Sequence, residues 1–162
     1  MTRVFHTFAP VADENSRVLI LGSFPSVKSR KIQFYYGNKQ NRFWRVLAQV
    51  LGCAVPEGIE QKRDMLLAHH VAVWDVIESC EITGSSDASI RNVRPNDLSR
   101  ILSQADIQAI YLNGSKAYEL YQKYIFPVNG RKAYLLPSTS PANAGYSLEK
   151  LVEAWSVIKK SL

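Results

Sequence analysis

The chain is poor in cysteine: only Cys53 and Cys80 occur among 162 residues, 27 positions apart and without a CxxC pair. A four-cysteine iron–sulfur cluster is excluded, neither a zinc finger nor a disulfide framework is indicated, and two buried thiols in a reducing cytosol are expected. Long apolar runs are also missing, since none approaches the roughly 20 residues that span a bilayer. Residues 1–16 hold Phe5, Phe8 and Val11 but no continuous signal-type apolar stretch, so neither export nor membrane insertion is indicated and a cytoplasmic location is expected. Acid is scarce relative to base: 14 Asp+Glu against 20 Lys+Arg give +6. Such a molecule attracts polyanions, which favours nucleic acid only weakly because many small basic domains bind nothing acidic. No internal repeat and no low-complexity segment is present.

What remains is an ordinary globular composition, 46% hydrophobic and 21% charged, of a length that predicts one domain over residues 1–162. Four apolar runs read as buried strands: Arg17 to Gly22, Val71 to Ile77, Ala109 to Asn113 and Ala133 to Pro137. Helical spacing covers Arg42 to Leu51, Ile59 to His69, Asn96 to Ser103, Ser115 to Tyr124 and Ser147 to Ser161. Ser115 and Ser147 suit N-caps, and Pro95 with Asn96 suits the start of the third helix. Thr83 to Ser89 reads as a surface loop. Strands alternating with helices predict a three-layer α/β/α fold around a four-stranded, mostly parallel sheet, with ligands bound beyond the carboxyl ends of its strands. The segments to read closely are therefore Gly22 to Ser29, Trp74 to Ser79, Asn113 to Lys116 and Ser138 to Tyr146.

Within them, Gly22 and Pro25 form a Gly-x-x-Pro turn, followed nineteen residues after Gly22 by Asn41-Arg42-Phe43-Trp44. Further on come Trp74-Asp75-Val76-Ile77, Asn113-Gly114-Ser115-Lys116-Ala117-Tyr118 and Leu136-Pro137-Ser138-Thr139-Ser140-Pro141-Ala142-Asn143. In this order and spacing, over roughly residues 17–158, the chain resembles the uracil-DNA glycosylase superfamily. It is similar to the mismatch-specific uracil enzymes and more strongly to the hypoxanthine-DNA (deoxyinosine) glycosylases. The resemblance implies hydrolysis of the bond between deoxyribose C1′ and a flipped-out base, with a placed water, a base-stabilising pocket and no cofactor or metal.

The superfamily commonly carries Asn or Asp in the Gly-x-x-Pro turn to hold the water; here that position is Phe24, which has no polar atom. In the hypoxanthine group the work resembles a transfer to the Asn of the second motif, here Asn41, whose amide accepts from water while donating elsewhere. Asn41 also suits the N-cap of the helix it opens. Tyr36 falls where mismatch-specific enzymes stack an aromatic on the base, while at least one of Phe34, Tyr35 and Tyr36 is expected to be core. Backbone amides of Ser23 and Phe24 are candidates for holding a base carbonyl or the water, or Ser23 is a plain turn former. Asp75 either reads the N1–H of hypoxanthine, a donor adenine lacks, or caps a turn.

Ser138, Thr139, Ser140 and Pro141 resemble the loop that pinches the DNA backbone, with Ser138 where many uracil enzymes carry a His, and Ala142 or Asn143 falls at the wedge. Lys28, Arg30, Lys31, Lys39 and Arg42 make the first long loop basic, as DNA phosphates or plain solvation would favour. Lys116 is a further DNA-binding candidate and the lysine most able to act as a nucleophile; without a clearly placed one, a monofunctional enzyme is expected. His6, His69 and His70 lie on no motif and receive no role. The leading expectation is a monomeric hypoxanthine-DNA glycosylase acting on deaminated DNA. The alternatives are a mismatch-specific uracil-DNA glycosylase and an inactive member that binds DNA or nucleotides.

Overall fold

The computed structural model describes residues 2–162. The chain runs β1 (Arg3–Phe5), β2 (Val18–Gly22), α1 (Val27–Ile32), α2 (Phe43–Leu51), α3 (Gly58–Ala68), β3 (Val71–Asp75), β4 (Ile77–Glu81), β5 (Arg91–Pro95), α4 (Ser99–Leu102), β6 (Ala109–Asn113), α5 (Ser115–Leu120), α6 (Phe126–Asn129), β7 (Tyr134–Leu136) and α7 (Leu148–Trp155). The main sheet has the order β3-β2-β6-β7, parallel throughout. Every residue of β2 and β3 is buried, as a sheet covered on both faces requires. β2 connects to β3 on one side, and the chain then crosses β2 to reach β6 on the other. With right-handed crossovers, that reversal puts α1–α3 on one face and α4–α5 on the opposite one, and opens a crevice at the carboxyl ends of β2 and β6. α7 packs on α2, joined by an edge-to-face contact of Phe43 on Trp155 at 5.8 Å.

The run read as one strand, Val71 to Ile77, is two. The chain leaves the parallel sheet at Asp75 and enters a second, antiparallel sheet, β1-β4-β5, at Ile77. The crossing is fixed by Val76 N–H donating to the Gly22 carbonyl at 2.8 Å and Ile77 N–H to that of Ser23 at 3.1 Å. Those two bonds hold the turn after β2, so the small sheet buttresses the crevice.

Other boundaries also move. Pro95 ends β5 rather than starting a helix, and the buried Asn96 donates its side-chain amide to the Asp75 carbonyl at 2.9 Å; α4 shrinks to Ser99–Leu102. Gly114, at φ 98°, is the residue before α5, and Ser115 is already helical. A Cβ on Gly114 would lie 3.1 Å from Ser138 Cβ, so glycine there permits both the backbone conformation and the close approach of the last loop. α5 stops at Leu120, where the backbone widens into one π turn, Tyr121–Ile125. Ser147 caps α7 as expected, accepting from Lys150 N–H.

Candidate active site

A cavity of about 280 Å³ opens at the carboxyl ends of β2, β3 and β6. Its walls include Gly22, Ser23, Phe24, Pro25, Tyr36, Asn41, Asp75, Ser138, Thr139, Ser140, Pro141 and Ala142, so twelve of the fourteen sequence-predicted site residues converge here. A second cavity of about 570 Å³ adjoins it, sharing Asp87, Ser138, Ser140 and Ala142 and extending to Asn143 and Tyr146. Lys116 lines neither; its ammonium lies 3.9 Å from Glu119.

The hydrogen-bond network can be traced from backbone N–H groups, which only donate. Thr139 N–H donates to Asn113 Oδ1 at 3.0 Å, which identifies Nδ2 of Asn113 as the donor to Thr139 Oγ1 at 3.0 Å and to Tyr36 Oη at 3.2 Å. Thr139 Oγ1, receiving that bond, spends its own proton on Asn41 Oδ1 at 2.8 Å, and Phe43 N–H donates to the same oxygen at 2.9 Å. Both lone pairs of Asn41 Oδ1 are thus engaged, and the group left for the cavity is its NH₂. The expected acceptance of a water proton by this amide does not fit that geometry. Asn41 bonds the α2 start in Asx fashion, although Arg42 is the helix-flanking residue, so capping and a cavity-facing donor coexist.

Tyr36 Oη already accepts from Asn113, which leaves its proton to donate. Burial first, and then the Asp75 charge, push this phenol well above its ordinary range, so it stays neutral. Its ring lies parallel to Phe43 at 3.9 Å, and its backbone is left-handed at φ 51°. For an aromatic residue this conformation costs roughly 1–3 kcal/mol and persists only where surroundings impose it. Here Trp44 Nε1 donates to the Tyr36 carbonyl at 3.3 Å, and Ser29 Oγ accepts from Gly37 N–H at 2.9 Å. Phe34 and Tyr35 are the core members of the trio, 1% and 2% exposed.

Asp75 is buried and bonded through Oδ2 to His6 Nε2 at 2.8 Å, with side chains 5% and 2% exposed. His6, given no role from sequence, is therefore part of the site. It sits among Phe8, Phe24 and Tyr35, an apolar shell that strengthens the pair by excluding water. A Cβ on Gly22 would stand 2.6 Å from Asp75 Oδ1 and 3.1 Å from Tyr36 Oη; glycine is required so that these groups can meet beside the turn.

Asp87 is the second residue that sequence reasoning missed. It lies in the stretch from Thr83 to Ser89, exposed over Thr83 to Ala88, which folds over the Gly22–Pro25 turn instead of standing free. Ser23 Oγ donates to Asp87 Oδ1 at 2.9 Å, Val27 N–H to Ser85 Oγ at 2.9 Å, and Arg30 to the Pro25 and Gly84 carbonyls at 2.8 and 3.1 Å. Desolvation raises the Asp87 carboxyl above the ordinary range, with Ser23 and Lys116 pulling the other way. The available signal was that Asp87 is the one acid in a Gly/Ser-rich loop. His6 carried none.

The basic loop divides in two. Arg30 is spent as above, and Arg42 donates to the carbonyls of Tyr146, Ser140 and Asn143; Lys28, Lys31 and Lys39 are exposed. In the last loop Asn143 Nδ2 donates to the Ser138 carbonyl at 3.0 Å, whereas Ala142 is exposed at the rim shared by the two cavities.

Residues 9–159 match the model of the uracil DNA glycosylase superfamily. Two curated relatives, each named hypoxanthine DNA glycosylase, come from Methanosarcina acetivorans and Methanosarcina barkeri. The first is 35% identical over 93% of this chain and 95% of the relative, the second 32% identical over 92% and 94%. A solution NMR structure from M. acetivorans, described as a candidate uracil DNA glycosylase, superposes with a TM-score of 0.77 at 32% identity, covering 94% of this chain and 96% of that one. With its parallel sheet and the convergence of the motif residues at one cavity, the chain belongs to the uracil DNA glycosylase superfamily of base-excising enzymes.

Proposed function

We propose that this DNA glycosylase excises hypoxanthine from deoxyinosine in DNA, leaving an abasic site without cutting the strand. The observation that carries the lesion assignment is Asp75, whose Oδ2 is held by His6 while Oδ1 stands beside Gly22 and Tyr36 at the cavity. A carboxylate so fixed accepts from the N1–H of hypoxanthine; adenine presents a lone pair at that nitrogen and would be repelled. The Tyr36 hydroxyl, with its proton unspent, suits the O6 carbonyl next to it. The names of the two Methanosarcina relatives support the same reading.

Cleavage leaves the electron pair of the C1′–N9 bond on the purine. The Asn41 NH₂, with its oxygen saturated, donates to the base as that negative charge grows, and so strengthens its bond in the transition state. Ala142 occupies the gap left by the flipped nucleotide; so small a wedge suits a lesion whose pairing is already weakened. With no lysine lining either cavity among the described residues, a Schiff base with the sugar lacks its nucleophile, which supports monofunctional chemistry.

The test is incubation with labelled duplexes carrying one deoxyinosine, deoxyuridine or normal base, then alkali and denaturing electrophoresis. Alkali-dependent cleavage at deoxyinosine is expected. Preference for deoxyuridine would refute the lesion assignment, and a borohydride-trapped covalent complex would refute the monofunctional one.

A further inference from the structure

The glycosylase reading leaves one chemical position empty: nothing named so far takes a proton from the attacking water. The Phe24 side chain holds no polar atom, the Asn41 oxygen is saturated by Thr139 and Phe43, and Asp75 Oδ2 is committed to His6. We infer that Asp87, reaching over the turn from the β4–β5 loop, is the carboxylate that orients and deprotonates the nucleophilic water in place of the residue missing at position 24.

Three observations place it there. Ser23 Oγ holds Oδ1 at 2.9 Å, so the carboxylate is fixed one residue from Phe24, on the turn itself, and Oδ2 has no hydrogen-bond partner among the described residues. Asp87 also borders both cavities. A base seated among Tyr36 and Asp75 in the inner cavity puts its sugar at the shared mouth, where C1′ must meet its water. The loop is also internally braced. Thr83 N–H donates to Ser89 Oγ at 2.8 Å, Ser89 Oγ to the Ser86 carbonyl at 2.7 Å, and Ile90 N–H to the Asp87 carbonyl at 3.2 Å. A carboxylate on such a loop keeps its position between turnovers, as general-base catalysis requires. Desolvation raises its proton affinity in the direction a base needs.

In the step, the water oxygen bonds to C1′ as the C1′–N9 bond breaks with its pair moving to the purine. The water proton passes to Asp87 Oδ2 and then to solvent, and the departing purine anion takes a proton from solvent. Sugar and base together gain one water.

The inference rests on the glycosylase reading, so the test separates the two. Single-turnover rates of the full chain are measured on deoxyinosine and deoxyuridine duplexes, with binding to a duplex carrying the non-cleavable 2′-fluoro analogue. Asp87→Asn, which preserves shape, is expected to slow excision by about 10²-fold or more while analogue binding stays within about threefold, an energy change below one factor of ten. The acidic limb of the wild-type pH–rate profile is expected to disappear in this variant, and formate is expected to restore part of the rate to Asp87→Ala. Excision by Asp87→Asn within about threefold of wild type, or a rate loss matched by weakened analogue binding and deaf to formate, overturns the role. A wild-type enzyme that cleaves only deoxyuridine sinks the lesion assignment and leaves Asp87 readable on that substrate; one inert on both overturns both.

Discussion

At the scale of single residues, Asn41 separates two chemistries. If its NH₂ is the working group, Asn41→Asp keeps the bonds from Thr139 and Phe43 yet loses the donor. It is then expected to be as defective as Asn41→Ala, each by roughly 10²–10³ in single-turnover rate; near-normal activity of the aspartate variant would assign the work to the oxygen. Gly22→Ala drives a methyl onto the Asp75 carboxylate and toward the Tyr36 hydroxyl, and a stability loss of about 1–3 kcal/mol by denaturant titration is expected along with lost excision. The sign for Asp87 runs the other way. Its folded-state proton affinity is raised by desolvation, so its contribution to stability is full below the unfolded pKa and lost as pH rises through the folded one. Asp87→Asn is therefore expected to raise the Tm at pH 7, with the gain vanishing below about pH 3, where the unfolded carboxyl is also protonated. A melting series across pH checks it. The place of Asn41 was legible from the spacing of the Gly-x-x-Pro and Asn-x-Phe-Trp motifs; its donor role was not, because Thr139, 98 positions away, decides which way the amide faces. Likewise Asp75 could be read as a candidate while His6, 69 positions away, could not.

Among elements, those legible in the sequence are the ones that bury one kind of surface. β2, β3 and β6 are continuous apolar runs, and α2 carries Phe43, Trp44, Val46, Leu47, Ala48 and Val50 toward the core, the pattern that helical periodicity reveals. The antiparallel sheet escaped because β1 and β5 are short and half-exposed, Arg-Val-Phe and Arg-Asn-Val-Arg-Pro, and give neither an apolar run nor a clean alternation. The change of sheet at Val76 was hidden by the same rule, since hydrophobic residues continue across it. The last loop depends on α2 through Arg42, which gathers three of its carbonyls. Arg42→Ala is expected to speed amide exchange over residues 140–146 and to weaken DNA binding several-fold, with a smaller effect on the single-turnover rate at saturating protein. An unchanged exchange pattern would show that the loop holds itself.

For the whole molecule, the net charge of +6 is less informative than where free cations remain. Arg30 and Arg42 are consumed internally, whereas Lys28, Lys31 and Lys39 are exposed on the segment beside the cavity. Each replacement of one of these by Ala is expected to reduce the slope of log affinity against log salt by about 0.9, measured by anisotropy with a duplex; an unchanged slope would place the phosphates elsewhere. A different consequence follows from the pairing of His6 with Asp75. The match to the superfamily model begins at residue 9, so a shortened protein cut at that border would retain the parallel sheet and every motif residue. It would also leave a carboxylate whose side chain is 5% exposed without its hydrogen-bond partner. On the proposed role of Asp75, a protein trimmed at that border is expected to look complete by likeness yet to lose excision, which the deoxyinosine cleavage assay on a chain lacking residues 1–8 checks.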